Sequence, residues 1–133
     1  MFTSLDIAAT GVSLAQTWLD TIAHNMANAN TVRPPDEEPF RADLVYAQEI
    51  TDGPGASGSG VAVRDFVDAA GEPIKVYQPE HPLADADGMV TLPVVDMAGQ
   101  MSDLIIAQRT YQMNIQVIQS SREAYETALR IGR

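Results

Sequence analysis

Few residues in this chain have the type and spacing for chemistry. Asp85-Ala86-Asp87-Gly88 has the acid-x-acid-glycine centre of a calcium loop. Set against the full loop pattern, these residues take the third, fifth and sixth places, which puts Leu83 first and Val94 twelfth. Neither can ligate through its side chain. The run therefore reads as an acidic turn, with Asp supplying local hydrogen bonds and Gly a positive φ. His81, between Glu80 and Pro82, reads as a surface-turn histidine rather than a ligand or an acid–base group. His24, beside Asn25, has no catalytic partner in the sequence and reads as a polar-face or interface residue. There is no serine-nucleophile motif, no glycine-rich phosphate loop leading into a helix and no paired histidine cluster. Cysteine is absent, which excludes a thiolate zinc site, a cysteine nucleophile and a disulfide framework. The expectation is a non-enzyme with no catalytic residues, no metal and no cofactor.

The elements that hold these residues follow from where proline and charge fall. All eight prolines lie between residues 31 and 93, so only the two ends can form long helices. Of the net charge of −10, residues 1–30 carry −2, residues 31–93 carry −8 and residues 94–133 carry none. At 133 residues the chain has the length of one ordinary domain. A pI near 4.3, with a single lysine, argues against nucleic acid and anionic membranes as partners. No stretch is apolar enough to span a bilayer. Residues 1–30 lack the basic start of a cleavable secretion signal, so export by another route is expected.

Residues 1–30 predict one helix with a 3-4 apolar seam of Leu5, Ala8, Val12, Ala15, Leu19, Ile22 and Met26. Thr3 or Ser4 is expected to cap its start, and Asn25, Asn28 and Asn30 to close it through left-handed geometry. Gly11 costs about 1 kcal/mol inside a helix unless a partner packs against it. Residues 94–133 predict a longer helix, capped by Asp96 and ending at Gly132. Its seam is Met97, Met101, Leu104, Gln108, Tyr111, Ile115, Ile118, Arg122, Tyr125 and Leu129, with Gln108 and Arg122 as polar residues that set register. Ile105, Ile106 and Val117 fall outside that seam, for contact with other copies or for cover by the middle segment.

The middle predicts a loop-rich β element: a strand within residues 40–49, a flexible linker over residues 53–60, and a hairpin of residues 61–67 with 74–77. A further short strand is expected near Met89. The fold class is mainly α with a small β insert, the terminal helices pairing as a coiled coil. The segments are residues 1–30, 31–93 and 94–133.

Two signatures now stand out. Ser4-Leu5-Asp6-Ile7-Ala8-Ala9-Thr10-Gly11 with Trp18-Leu19-Asp20-Thr21-Ile22-Ala23-His24-Asn25-Met26-Ala27-Asn28-Ala29-Asn30-Thr31 resembles the N-terminal signature of bacterial flagellar rod and hook proteins. Val90-Thr91-Leu92-Pro93-Val94-Val95-Asp96, Met101-Ser102-Asp103-Leu104-Ile105 and Arg109-Thr110-Tyr111-Gln112-Met113-Asn114 resemble the matching C-terminal one. The short length, with His81-Pro82-Leu83-Ala84-Asp85-Ala86-Asp87-Gly88 before the last helix, is most similar to the proximal-rod members. Val94, Gln100 and Met26 stand where that family usually has Asn, Glu and Ile.

The resemblance implies a structural subunit of the proximal rod, a hollow shaft in the periplasm, polymerised helically and exported by the flagellar type III apparatus without signal cleavage. Implied partners are copies of itself, other proximal and distal rod proteins, and proteins of the junction between MS ring and export gate. No nucleic acid and no membrane insertion are expected. The interface residues expected on the first helix are Leu5, Ala8, Gly11, Val12, Ala15, Leu19, Ile22, Asn25, Met26 and Asn28. On the last helix they are the ten seam residues together with Asn114. The competing reading is a helical adaptor or export-chaperone-like protein that forms a small closed oligomer.

Overall fold

The structure is a computed structural model that describes residues 2–51 and 58–132, with side chains from Ser4 onward. Its elements are α1 (Phe2–Ala27), β1 (Asp43–Thr51), β2 (Gly58–Asp68), β3 (Lys75–Tyr77), β4 (Met89–Thr91) and α2 (Met97–Ile131). The chain is thus mainly helical, with long terminal helices and a small β insert of two two-stranded sheets.

Both helices sit where proline is absent, but their ends are made differently from expectation. Ser4 lies inside α1 rather than at its cap, and the Thr3 side chain is outside the described residues. No described non-glycine residue has a positive φ. α1 is instead closed by hydrogen bonds: the backbone N–H of Asn28 and its Nδ2 both donate to the His24 carbonyl, at 3.1 and 3.0 Å. Asp96 directly precedes α2 in the N-cap place, and its carbonyl accepts the Gln100 N–H at 2.9 Å. At the far end Gly132 donates to Ala128.

The strands lie close to where the alternation placed them, but their partners differ. β1 pairs with β2, and β3 with β4, so the expected hairpin of residues 61–67 with 74–77 does not form. The reason is Arg41. Its Nη1 donates to the carbonyls of Ala69 and Gly71 at 3.2 and 2.8 Å, while Ala69 N–H donates to Ala42. The chain leaving β2 is held beside Arg41 instead of folding back on β2. β3 and β4 run antiparallel, with Val76 opposite Val90. Of the expected linker, residues 53–57 lie outside the described set, whereas Gly58, Ser59 and Gly60 belong to β2.

The chain forms two compact units. The first contains residues 1–19, 45–65 and 104–133; the second contains residues 20–44 and 66–103. The early turns of α1 therefore share a unit with the later turns of α2, and the reverse, which is antiparallel pairing. In the first unit Ala8, Ala15 and Ala107 are buried. Gly11 answers its own cost there: a Cβ at this position would lie 2.7 to 2.9 Å from the Asn114 side chain, so its absence allows close approach. Thr10 docks β2, with Oγ1 donating to the Ile7 carbonyl at 2.7 Å and accepting the Val61 N–H at 3.1 Å.

In the second unit the core is Ile22, Phe40, Ala42 and Val90, with buried Thr21, Asn25 and Gln100. Residues 40–42 run beside Val94: Val94 N–H donates to Phe40 at 2.7 Å and Ala42 N–H to Val94 at 3.1 Å.

Candidate functional site

The acidic turn is a structural staple. Asp85 Oδ1 accepts the N–H groups of Asp87 and Met89 at 3.0 and 2.8 Å, and Oδ2 lies 3.6 Å from Lys75 Nζ. Gly88 follows with φ of 72°, so the turn reading accounts for every residue of the run. Among the described residues no group of three or more His, Asp or Glu is placed to hold a metal ion. His81 Nδ1 accepts the Leu83 N–H at 3.1 Å, a local turn contact. The His24 ring meets Phe40 edge-on at 5.6 Å.

The Met89 N–H bond, helped by the Asp87 N–H and by Lys75, holds the Asp85 carboxyl below its ordinary value. Because the folded value is the lower one, the ionised carboxylate stabilises the fold above the unfolded value of about 3.9. That contribution disappears as pH falls through the folded value. Melting curves from pH 6 to pH 2 for the parent and Asp85→Asn are expected to show a constant gap above about pH 5 that closes in acid. A gap that persists unchanged at pH 2 would mean that the charge contributes nothing.

The residues left for function are those of the helix faces. On α1, Ala8, Ala15, Ile22 and Asn25 are buried, and Leu5, Gly11, Val12, Leu19, Met26 and Asn28 are half-buried. On α2, Leu104, Tyr111, Asn114, Ile115 and Ile118 are half-buried, while Met97, Met101, Gln108, Arg122, Tyr125 and Leu129 are exposed. The inward line of α2 is Gln100, Leu104, Ala107, Tyr111, Asn114, Ile118 and Ser121. It shares Leu104, Tyr111 and Ile118 with the expected seam but is rotated by one position between them. Two 4-3 lines run through the same three residues, and apolarity favoured the one that is more exposed at Met101 and Gln108 than its rival is at Gln100 and Ala107.

This corrects the two polar positions. Gln108 and Arg122 are exposed and do not set register inside the chain; Arg122 pairs with Glu126 at 3.2 Å on the surface. The buried polar contact is elsewhere. Asn25 is 1% exposed. Its Nδ2 donates to Gln100 Oε1 at 2.9 Å and to the Asp43 carbonyl at 2.8 Å. Its Oδ1 accepts the Asp43 N–H at 2.8 Å. The amide thus presents itself to Asp43 as a neighbouring strand would, and joins α1, β1 and α2 through one side chain. Expected to close the helix and to face neighbours, Asn25 is instead the polar centre of the second unit. Gln100 was missed because nothing local marks a glutamine as buried.

Ile105, Ile106, Met113 and Val117 remain about half exposed, so the insert does not cover them. No helix among the described residues is long and apolar enough to cross a membrane.

Two family profiles match, one at each end. Residues 5–34 match "Flagella basal body rod protein", and residues 86–131 match "Flagellar basal body rod FlgEFG protein C-terminal". The chain is 37% identical over 128 residues to the flagellar basal-body rod protein FlgC of Escherichia coli O6:H1, covering 96% of this chain and 95% of that one. It is 38% identical to the FlgC of Yersinia enterocolitica over the same shares. It is 33% identical to the FlgC of Borreliella burgdorferi, covering 98% of this chain and 97% of that one.

Proposed function

The chain belongs to the flagellar basal-body rod protein family, and on that footing we propose that it is a proximal-rod subunit polymerising helically through its terminal helices. Membership makes it a structural component of the basal body. The finer reading rests on one observation: α2 carries a second apolar face. Ile106, Met113 and Val117 lie 7 and 4 residues apart on α2, off its inward line, and are 47 to 59% exposed. A soluble monomer has no use for such a stripe along a long helix. A face that docks on a different face of the next copy generates an open filament rather than a closed ring. Ile105 flanks this face, while the exposed Met97, Met101, Tyr125 and Leu129 lie on other sides of α2.

The acidic insert suits the outside of such a tube. Its charge of −8 discourages association through the wrong surface, while the neutral last segment packs among copies without repulsion. The proposed partners are copies of this chain, proximal and distal rod proteins and the junction between MS ring and export gate. The proposed place is the periplasm, reached through the flagellar type III apparatus without signal cleavage.

The test is electron microscopy of basal bodies from cells lacking the gene, with swimming scored in parallel. Rings without a rod and no swimming are expected. Intact rods, together with a defined small oligomer of the purified chain, would assign it to the adaptor reading. Val117→Asp should fold, because the site is 47% exposed, yet restore neither rod nor swimming. Full restoration by that variant would remove α2's outer face from the assembly.

A further inference from the structure

We infer that an apolar groove in the first compact unit seats the outer face of α2 from a second copy of this chain, with Arg109 of one copy paired to Glu49 of the next. This rests on the reading of the chain as a self-assembling rod subunit, and it names the surface that the free face of α2 meets. Groove and face both lie within residues 1–19, 45–65 and 104–133. The groove is bounded by α1, by β1 and β2, and by α2, and has a volume of about 370 Å³. Ile7, Leu14 and Val61 make its lining mostly apolar. Gly58 lines it too, and a Cβ there would meet nothing nearer than 3.8 Å, so that wall is open.

Charge selects the occupant. Ile106, Met113 and Val117 project from α2 within about 40° of one another, and Arg109 stands about 40° from Met113. Arg109 is the one charged residue between Leu104 and Ser121. Glu49 is the one charged residue among those lining the groove. Both are exposed, and neither has an ion-pair partner among the described residues. An apolar face with one cation needs an apolar seat with one anion, because a charge taken from water without a partner opposes docking. The cleft lined by His24, Arg33, Glu38, Arg41, Asp43 and Asp68 does not meet this need, since an apolar stripe laid there would cover charges of both signs. Groove and stripe are different surfaces of one copy, so the contact can repeat from copy to copy.

The absence of cysteine makes a clean test possible. Full-length Gly58→Cys and Met113→Cys chains are expressed together in cells lacking the gene, and intermolecular disulfides are measured after mild oxidation. The mixed disulfide should form at least about tenfold faster than either like-with-like disulfide. Glu49→Arg in the Gly58→Cys chain, or Arg109→Glu in the Met113→Cys chain, should each slow it about tenfold. Both changes together should restore it to within about threefold. Circular dichroism of the purified variants checks that they fold, as expected for two exposed positions. The inference is overturned if the mixed disulfide is no faster than the others. It is also overturned if folded single-reversal variants cross-link like the parent, or if the double reversal restores nothing. Swimming of the deletion strain separates the two readings. Intact rods with the mixed disulfide present would remove the rod reading and keep the docking, whereas lost rods without that disulfide would remove the docking alone.

Discussion

Replacing Asn25 by leucine is expected to lower the stability of the chain by about 3 kcal/mol or more. The side chain is almost fully buried, and it carries three hydrogen bonds at 2.8 to 2.9 Å. Leucine has the same branched outline and is the larger residue, so the loss is not a cavity effect. It comes from leaving Gln100 Oε1 without its donor in a closed site and from freeing the Asp43 N–H and carbonyl. Each buried group left unpaired costs about 1–3 kcal/mol. Asp43 is only partly buried, and water recovers some of its share. Urea unfolding followed by circular dichroism measures the difference, and for a chain with about 5–15 kcal/mol in total it is a large fraction. A loss below about 1 kcal/mol would show that water replaces all three bonds. Asn25→Leu/Gln100→Leu should be less damaged than Asn25→Leu alone, because no buried acceptor is then left without a donor.

Gly60→Ala should cost about 2–4 kcal/mol, and most of that cost should depend on Thr10. Gly60 has φ of 148°, and an added Cβ would lie 2.6 Å from Thr10 Oγ1, 3.0 Å from Cγ2 and 3.2 Å from Cβ. Thr10 has little freedom to move aside. It is β-branched, and its hydroxyl is committed both to Ile7 and to Val61. The new methyl must therefore lift β2 from α1 and break the Thr10–Val61 bond. A cycle with Thr10→Ala isolates the contact. The double variant should lose clearly less than the two single losses combined, since truncating Thr10 clears the space. Additive losses would mean that backbone strain at Gly60, rather than the approach of the helix, accounts for the cost.

Much of the fold was legible because its signals are local. The proline-free ends, the alanine-rich 3-4 spacing and the placement of Asp96 are all read within a few turns of helix, and α1 and α2 sit close to where those signals end. The strands were legible as stretches but not as pairs. β2 could meet β1 or β3 equally well by alternation; Arg41, holding the carbonyls of Ala69 and Gly71, settles the choice. The acidic turn was read correctly because Asp85 bonds to residues two and four positions away.

The helix faces divide along the same line. On α1 the apolar spacing picked out Ala8, Ala15 and Ile22, all of them buried. On α2 it preferred Met101 and Gln108, which are exposed, to Gln100 and Ala107, which are buried, whereas Ile115 and Asn114 are both half-buried. Periodicity defines a helix and a set of possible stripes, and where two stripes share Leu104, Tyr111 and Ile118 it cannot choose between them. At Gln100 burial is made tolerable by Asn25, 75 residues away, which offers it a hydrogen bond. The sequence by itself determined two long helices, an acidic β insert and the family signature at each end, because those are written in spacing and residue type. Only the tertiary structure decided which strands pair and which face of α2 turns inward, because a buried polar group is stable or not according to a partner that no local pattern names.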